Sequence, residues 1–360
     1  MLPSIRKTAN CPSRLPVALL ALVLLAPFAL APIAYAQTTP STDAPPAASQ
    51  FPDTPVDQDK PAATLKVNVN LVSVYFTVRD KHNGLIPTLA KSDCGVTEDK
   101  QPQTIKNFSA ESNLPLTLGL LIDTSGSQQN VLPLEQQAAD NFLRSIMRSK
   151  DEGFVVSFDV GVNLEQDFTS SVGELSRAID HTQINIGSGG IGGPVPTQGA
   201  PKGTLLYDAV AQVSNDKIRS ETGRKALILL TDGEDQGSVT KPNEAMEAAQ
   251  KANVIIYVIL IADRPFYRGG GFNIGYTGDM QMRRLTEETG GRVIDVGNNG
   301  KKLEDAFAQI EQELRTQYLA SYTSTNNKLD GTYRKLEISC KGDGLKVQAR
   351  KGYYAIGEPQ

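Results

Sequence analysis

Histidine and cysteine are both scarce in this 360-residue chain, at two and three copies. His82 sits beside a turn signal and His181 closes a short helical stretch. Neither pairs with a second ligand at zinc-hydrolase spacing. No nucleophile elbow is present to serve a Ser-His-Asp hydrolase. Cys11 lies in the N-terminal segment, which leaves Cys94 and Cys340, and two cysteines alone cannot build a structural zinc site. There is no long basic tract, which argues against a nucleic-acid partner. No Walker A sequence occurs. Gly187-Ser188-Gly189-Gly190-Ile191-Gly192 has dinucleotide-fingerprint spacing, but Gly193-Pro194-Val195-Pro196 follows where that motif needs a helix. Beyond residue 36 no stretch is long and apolar enough to span a bilayer.

What is present reads as a secreted globular protein. The length allows about two domains. Arg6, Lys7 and Arg14 precede an apolar run from Val17 to Leu30, and Ala34-Tyr35-Ala36 supplies a small-x-small cleavage pattern. Residues 1–36 are therefore expected to be a signal peptide, with the mature chain periplasmic or extracellular. An uncleaved anchor fits less well, because the run is short and Pro27 and Pro32 interrupt it. Loss of the peptide takes the formal charge from −4 to −7. Residues 37–63 are rich in Pro, Ala, Thr, Ser and Asp without periodicity, and read as a disordered linker.

Residues 64–112 read as β. Val67, Val69 and Leu71 alternate in one phase and Val72, Val74, Phe76 and Val78 in the other, which predicts a bend near Leu71. Short strands are expected around Cys94–Thr97 and Thr104–Phe108. From Leu116 strands and helices alternate to about Arg315. The strands Leu116–Ile122, Ala226–Leu230 and Val254–Ile261 are almost wholly apolar. That pattern predicts an α/β fold with a doubly wound, mostly parallel sheet covered on both faces. Residues 316–357 return to β. Neither β segment is large enough to stand alone, so the two are expected to form one flanking β domain. Each holds one cysteine. Cys94 and Cys340 are either two buried thiols or a disulfide, and Cα atoms more than about 7 Å apart would exclude the bond.

Chemistry concentrates at the ends of the apolar strands. Asp123-Thr124-Ser125-Gly126-Ser127 follows the first directly and precedes a helix. Thr231-Asp232-Gly233-Glu234 ends the most apolar strand, and Gly203-Thr204 is placed to open a helix. Strand C-termini are where open α/β sheets place ligands. Hard oxygen donors of this kind suit Mg²⁺, or alternatively Mn²⁺ or Ca²⁺. Each piece alone reads equally as a helix cap or turn. Glu234 and Asp235 read as solvated loop charges.

The order Asp-x-Ser-x-Ser, then Thr, then a strand-terminal Thr-Asp-Gly, resembles the metal-ion-dependent adhesion site of von Willebrand factor A domains. The resemblance spans residues 114–315. The flanks, including Val78-Arg79-Asp80, Val96-Thr97-Glu98-Asp99 and Ala349–Tyr354, look like a bacterial family of exported proteins carrying such a domain. The resemblance implies that Ser125 and Ser127 coordinate a divalent cation. Thr204 would do so directly or through water, and Asp123 and Asp232 would supply negative charge. An Asp or Glu of a protein partner would then displace one metal-bound water. The glycine-rich loops Gly187–Gly203 and Asp263–Asp279 would rim the same face. Arg264, Phe266, Tyr267, Arg268 and Tyr276 on the second are candidate partner contacts.

The expected function is a metal-dependent protein-binding or adhesion module, not an enzyme. A structural scaffold of an envelope assembly is the alternative. A metal-dependent hydrolase would need a general base, and the sequence offers none clearer than Glu234.

Overall fold

The computed structural model describes residues 71–110, 114–185, 203–261 and 278–356. The expected signal peptide, the linker and the strand onset before Leu71 lie outside them. So do most of both glycine-rich loops, with Arg264, Phe266, Tyr267, Arg268 and Tyr276. Among the described residues no helix is long and apolar enough to cross a membrane.

The first strands are β1 (Leu71–Arg79), β2 (Cys94–Glu98), β3 (Gln101–Gln103) and β4 (Ile105–Ala110). The α/β run then holds β5 (Leu116–Asp123), α1 (Leu132–Ile146), β6 (Glu152–Phe158), β7 (Val162–Thr169), α2 (Val172–His181) and α3 (Leu206–Gln212). It continues through β8 (Arg224–Thr231), α4 (Pro242–Lys251), β9 (Ile255–Leu260), α5 (Gly278–Thr289), β10 (Val293–Asp295) and α6 (Gly300–Arg315). The chain closes with β11 (Tyr318–Thr323), β12 (Tyr333–Cys340), β13 (Lys346–Ala349) and β14 (Gly352–Tyr354).

The central sheet has six strands in the order β10-β9-β8-β5-β6-β7. Numbered along the chain this is the 3-2-1-4-5-6 order of doubly wound sheets. All pairs are parallel except β6 with β7. Those two are joined by residues 159–161, far too few for a crossover, so the second strand must return antiparallel. β5 and β8 are buried at every position, as strands covered on both faces are. Alternate residues feed two cores: Leu118, Leu120 and Ile122 meet α1, α2 and α6, while Leu121 meets α3, α4 and α5. Gly119 shares the second face. A Cβ there would fall 2.3 Å from the Phe154 ring and 2.4 Å from a Leu227 methyl, so only glycine lets these side chains close over β5.

The β strands from the two ends of the chain pair with one another. One sheet runs β13-β1-β11-β4 and the other β14-β12-β2-β3. β12 alternates strictly between buried and exposed residues, the signature of one apolar face. Val74, Phe76, Val96, Tyr322, Leu336 and Ile338 lie in the core these sheets share. Cys94 and Cys340 face each other across β2 and β12 with Cα atoms 4.0 Å apart, and they form a disulfide. Sequence reasoning missed β3 and β14. Gln101-Pro102-Gln103 lacks an alternating apolar pattern, and its proline is tolerated because β3 is an edge strand.

Glu313 in the last turn of α6 joins the two cores. Its fully buried carboxylate accepts from Arg79 Nη2 of β1 at 2.5 Å and from Arg292 Nε at 2.7 Å. It also accepts from Gln348 Nε2 of β13 at 3.1 Å.

Candidate metal centre

The strand order reverses between β5 and β8, so the loops leaving them turn to opposite faces at the C-terminal edge of the sheet, the position at which doubly wound sheets bind ligands. Their register sets Ile122 beside Leu230, which brings Asp123 level with Thr231. Thr231 Oγ1 donates to Asp123 Oδ2 at 2.6 Å, and the Ser125 N–H donates to Asp123 Oδ1 at 3.0 Å. Asp232 follows at once, and its Oδ1 accepts the Glu234 N–H at 3.0 Å. Ser125 Oγ and Ser127 Oγ lie 3.1 Å apart. Adjacent vertices of an octahedron with bonds of about 2.0–2.2 Å are about 2.9–3.1 Å apart, so the two hydroxyls suit neighbouring positions on one small cation.

Four loops lock together around these groups. Thr124 Oγ1 donates to Asp159 Oδ2 at 2.9 Å, tying the loop after β5 to the loop after β6. The Leu205 N–H donates to the Asp159 carbonyl at 2.7 Å, which brings in the segment before α3. Thr204 and Gln236 exchange backbone hydrogen bonds of 3.2 and 3.0 Å, which brings in the loop after β8. The Thr231–Asp123 bond closes the ring. Side chains on such a frame are held in place by one another, an arrangement that lowers the ordering cost of binding any ligand.

Two expectations need correction here. Thr204 does not open α3. The helix starts at Leu206, and Thr204 is a buried residue of the irregular segment ahead of it. Asp235 is not a solvated charge. Its Oδ1 accepts from the Leu206 N–H at 3.1 Å and from Ser238 Oγ at 2.6 Å, so it caps α3 from the neighbouring loop.

The electrostatics are strongly one-sided. Asp123 and Asp232 are 0 and 1% exposed. Burial, reinforced by the charge on Asp232, pushes the Asp123 carboxyl up to about 7, against hydrogen bonds from Ser125 and Thr231 that pull it down. A third acid, Glu135 in the first turn of α1, was not anticipated. It is fully buried, and neither carboxyl oxygen has a hydrogen-bond partner. Burial first, then the charges of Asp123 and Asp232, raise it well above the ordinary carboxylate range. Its signal in the sequence was a charged residue on the helix stripe formed by Leu132, Ala138, Ala139 and Phe142.

Such a site fits a hard divalent cation. Three buried acids crowd together there, each making the others harder to ionise, and among the described residues no cationic side chain offsets Asp123 or Glu135. Among the described residues no group of three His, Cys, Asp or Glu side chains is placed to hold a metal. Ligation here would thus draw on Ser125, Ser127 and Thr204 hydroxyls beside Asp123 and Asp232. That hydroxyl-rich set favours Mg²⁺ or Mn²⁺ over ions that prefer imidazole or thiolate.

Sheet order, covering helices and the antiparallel edge strand together make this a von Willebrand factor A-type α/β fold. Solved structures with similar folds include proximal thread matrix protein 1 of the mussel byssus, at 15% identity and a TM-score of 0.45. The match covers 61% of this chain and 51% of the mussel protein, so this chain spans about half of that protein's length. The mussel protein has also been solved with zinc in its MIDAS motif. A von Willebrand factor type A protein from Catenulispora acidiphila matches at 12% identity and a TM-score of 0.43, covering 81% of this chain and 75% of that one. BatB from Bacteroides thetaiotaomicron matches at 16% identity and a TM-score of 0.41, covering 55% and 98%. No family model matches the chain, and no curated protein matches it in sequence.

Proposed function

We propose that this is an exported protein-binding module that captures an Asp or Glu of a protein partner through a divalent cation. The supporting observation is the convergence of hydroxyls and buried acids from separate segments on one hydrogen-bonded frame. Ser125, Ser127 and Thr204 would hold the cation through hydroxyls, with Asp123 and Asp232 balancing its charge. The cation supplies an electrophilic point to which a carboxylate can bind once it displaces water. Without it the acidic frame repels an acidic partner. Asp159 and Asp235 act as positioning residues, since they lace the loops rather than face the ion. We assign no catalytic residue.

Titration calorimetry of residues 37–360 with Mg²⁺ and Mn²⁺ tests the reading, beside an Asp123→Ala variant shown to be folded by circular dichroism. The parent is expected to bind one ion and the variant at least 100-fold more weakly. Equal behaviour of the two proteins would overturn the assignment and leave the motif as caps and turns.

A further inference from the structure

The opposite edge of the central sheet carries a second unusual charge cluster, formed by residues that the metal centre does not use. Lys225, second residue of β8, is 7% exposed. It lines a small, largely enclosed cavity with Arg350, Gln250, Asn253, Thr289 and Tyr75. No Asp or Glu lines that cavity, and neither Lys225 nor Arg350 forms an ion pair among the described residues. Lys225 Nζ donates to the Arg219 carbonyl at 3.3 Å. Arg350 Nη1 donates to Asn253 Oδ1 at 2.7 Å and Nη2 to the Ser73 carbonyl at 2.8 Å. These acceptors are all neutral. Arg350 Nε is buried and has no acceptor.

Lys225 is buried and Arg350 half-buried, and among the described residues the Tyr353 ring, 5.5 Å from the guanidinium carbon, faces the arginine's charge. Two such cations beside one cavity favour an accompanying anion. The cavity measures about 10 Å³, room for one water-sized body and too little for a phosphate or sulfate. A water could accept from the free donors, but it would leave the charge uncompensated. We propose that the cavity binds one small monovalent anion, chloride, between Lys225 Nζ and Arg350 Nε.

Its surroundings give the ion a structural role. Tyr75 comes from β1 and Arg350 from the link between β13 and β14. Gln250 comes from α4, Asn253 from the turn after it and Thr289 from the end of α5. Asn253 has φ of 55°, the left-handed conformation that ends α4 and sets its side chain under Arg350. An anion here bonds the β sheets to the α/β unit through charge rather than apolar contact. Burial, opposed by the pull of Glu221 and reinforced by Arg350 and Arg219, lowers Lys225 to about 8, as expected for an amine largely removed from water.

The test compares thermal melting of residues 37–360 in sodium chloride and sodium gluconate at equal ionic strength, beside Lys225→Met. The parent is expected to melt about 2–4 °C higher in chloride once the ion is tenfold above its Kd. The variant should show no chloride-specific gain. Should the variant not fold, bromide-soaked crystals of the parent decide through anomalous scattering. A peak in the cavity between Lys225 and Arg350 supports the site. An ordered water there, with bromide bound elsewhere, overturns it. An identical chloride response in parent and variant also overturns it. None of these readouts depends on the divalent-cation site.

Discussion

β8 carries opposite problems at its two ends. Its second residue is Lys225, a buried cation beside Arg350, and it runs straight into Asp232, a buried carboxylate beside Asp123 and Glu135. Between them lie five apolar residues and Thr231. At the acidic end the buried acids lie under the loop after β5, where Gly126 is exposed and Ser127 half-buried, so that edge meets solvent. At the basic end they lie beneath strands from both ends of the chain, and the cavity is largely enclosed. The difference separates a site suited to exchange with a partner from one suited to a resident ion. Glu313 shows what a compensated case looks like in the same molecule, with two arginines and an amide closing on one carboxylate.

That contrast can be broken or sharpened by substitution. The largest effect is expected from Glu313→Ala. It removes a compensating charge and leaves Arg79 and Arg292 without their shared partner, at a loss of about 3–5 kcal/mol in urea denaturation. A loss under about 1 kcal/mol would mean that the two arginines find water instead, and that compensation matters less here than supposed.

Glu135→Met should act in the opposite direction. With chelator present, replacing an unpartnered buried carboxyl by an apolar side chain of similar size is expected to raise stability by about 1–3 kcal/mol. The same variant should bind Mg²⁺ more weakly in calorimetry, since the centre loses one of its three nearby acids. A fall in metal-free stability would show that Glu135 has a partner in solution and that the acidic end is less strained than it looks.

The smallest effect is expected from pH at the basic end. Lys225 titrates near 8 in the folded chain, below its ordinary 10.5. Between these values the unfolded chain binds more protons than the folded one, so stability rises with pH across this window. In gluconate the slope of stability against pH from about 8 to 10.5 should be more positive for the parent than for Lys225→Met. Chloride should flatten it, because an anion favours the protonated amine. Equal slopes in all cases would remove Lys225 from the contrast.

Most of the sheet was legible in the sequence because its strands are almost wholly apolar. Leu116–Ile122 and Ala226–Leu230 permit few other readings. The acids at the ends of those strands were legible for the same reason, since chain direction assigns them to one edge. Glu135 was not, because a single carboxylate on an apolar helix stripe resembles an ordinary first-turn acid until the helix is docked. Asp235 was misread because its partners, the Leu206 and Tyr207 N–H groups, are nearly thirty residues earlier in the chain. Thr204 was placed on the helix because the strand-like bonds it makes are to Gln236, which no local pattern reports. Lys225 and Arg350 are 125 positions apart, and their shared cavity exists only once both ends of the chain have folded over β8.

The Cys94–Cys340 bond makes the intervening chain a covalently closed ring, with 246 residues of separation between its ends. The whole α/β unit lies inside that ring, while β1, β13 and β14 lie outside. Tension applied between the segments before Cys94 and after Cys340 has a covalent path through the sulfur bridge that does not thread the central sheet. A load entering at the C-terminal edge of that sheet has no such detour and must cross the frame of β5 and β8. Load applied at the ends of the chain thus has a covalent path that does not thread the frame around Asp123 and Asp232.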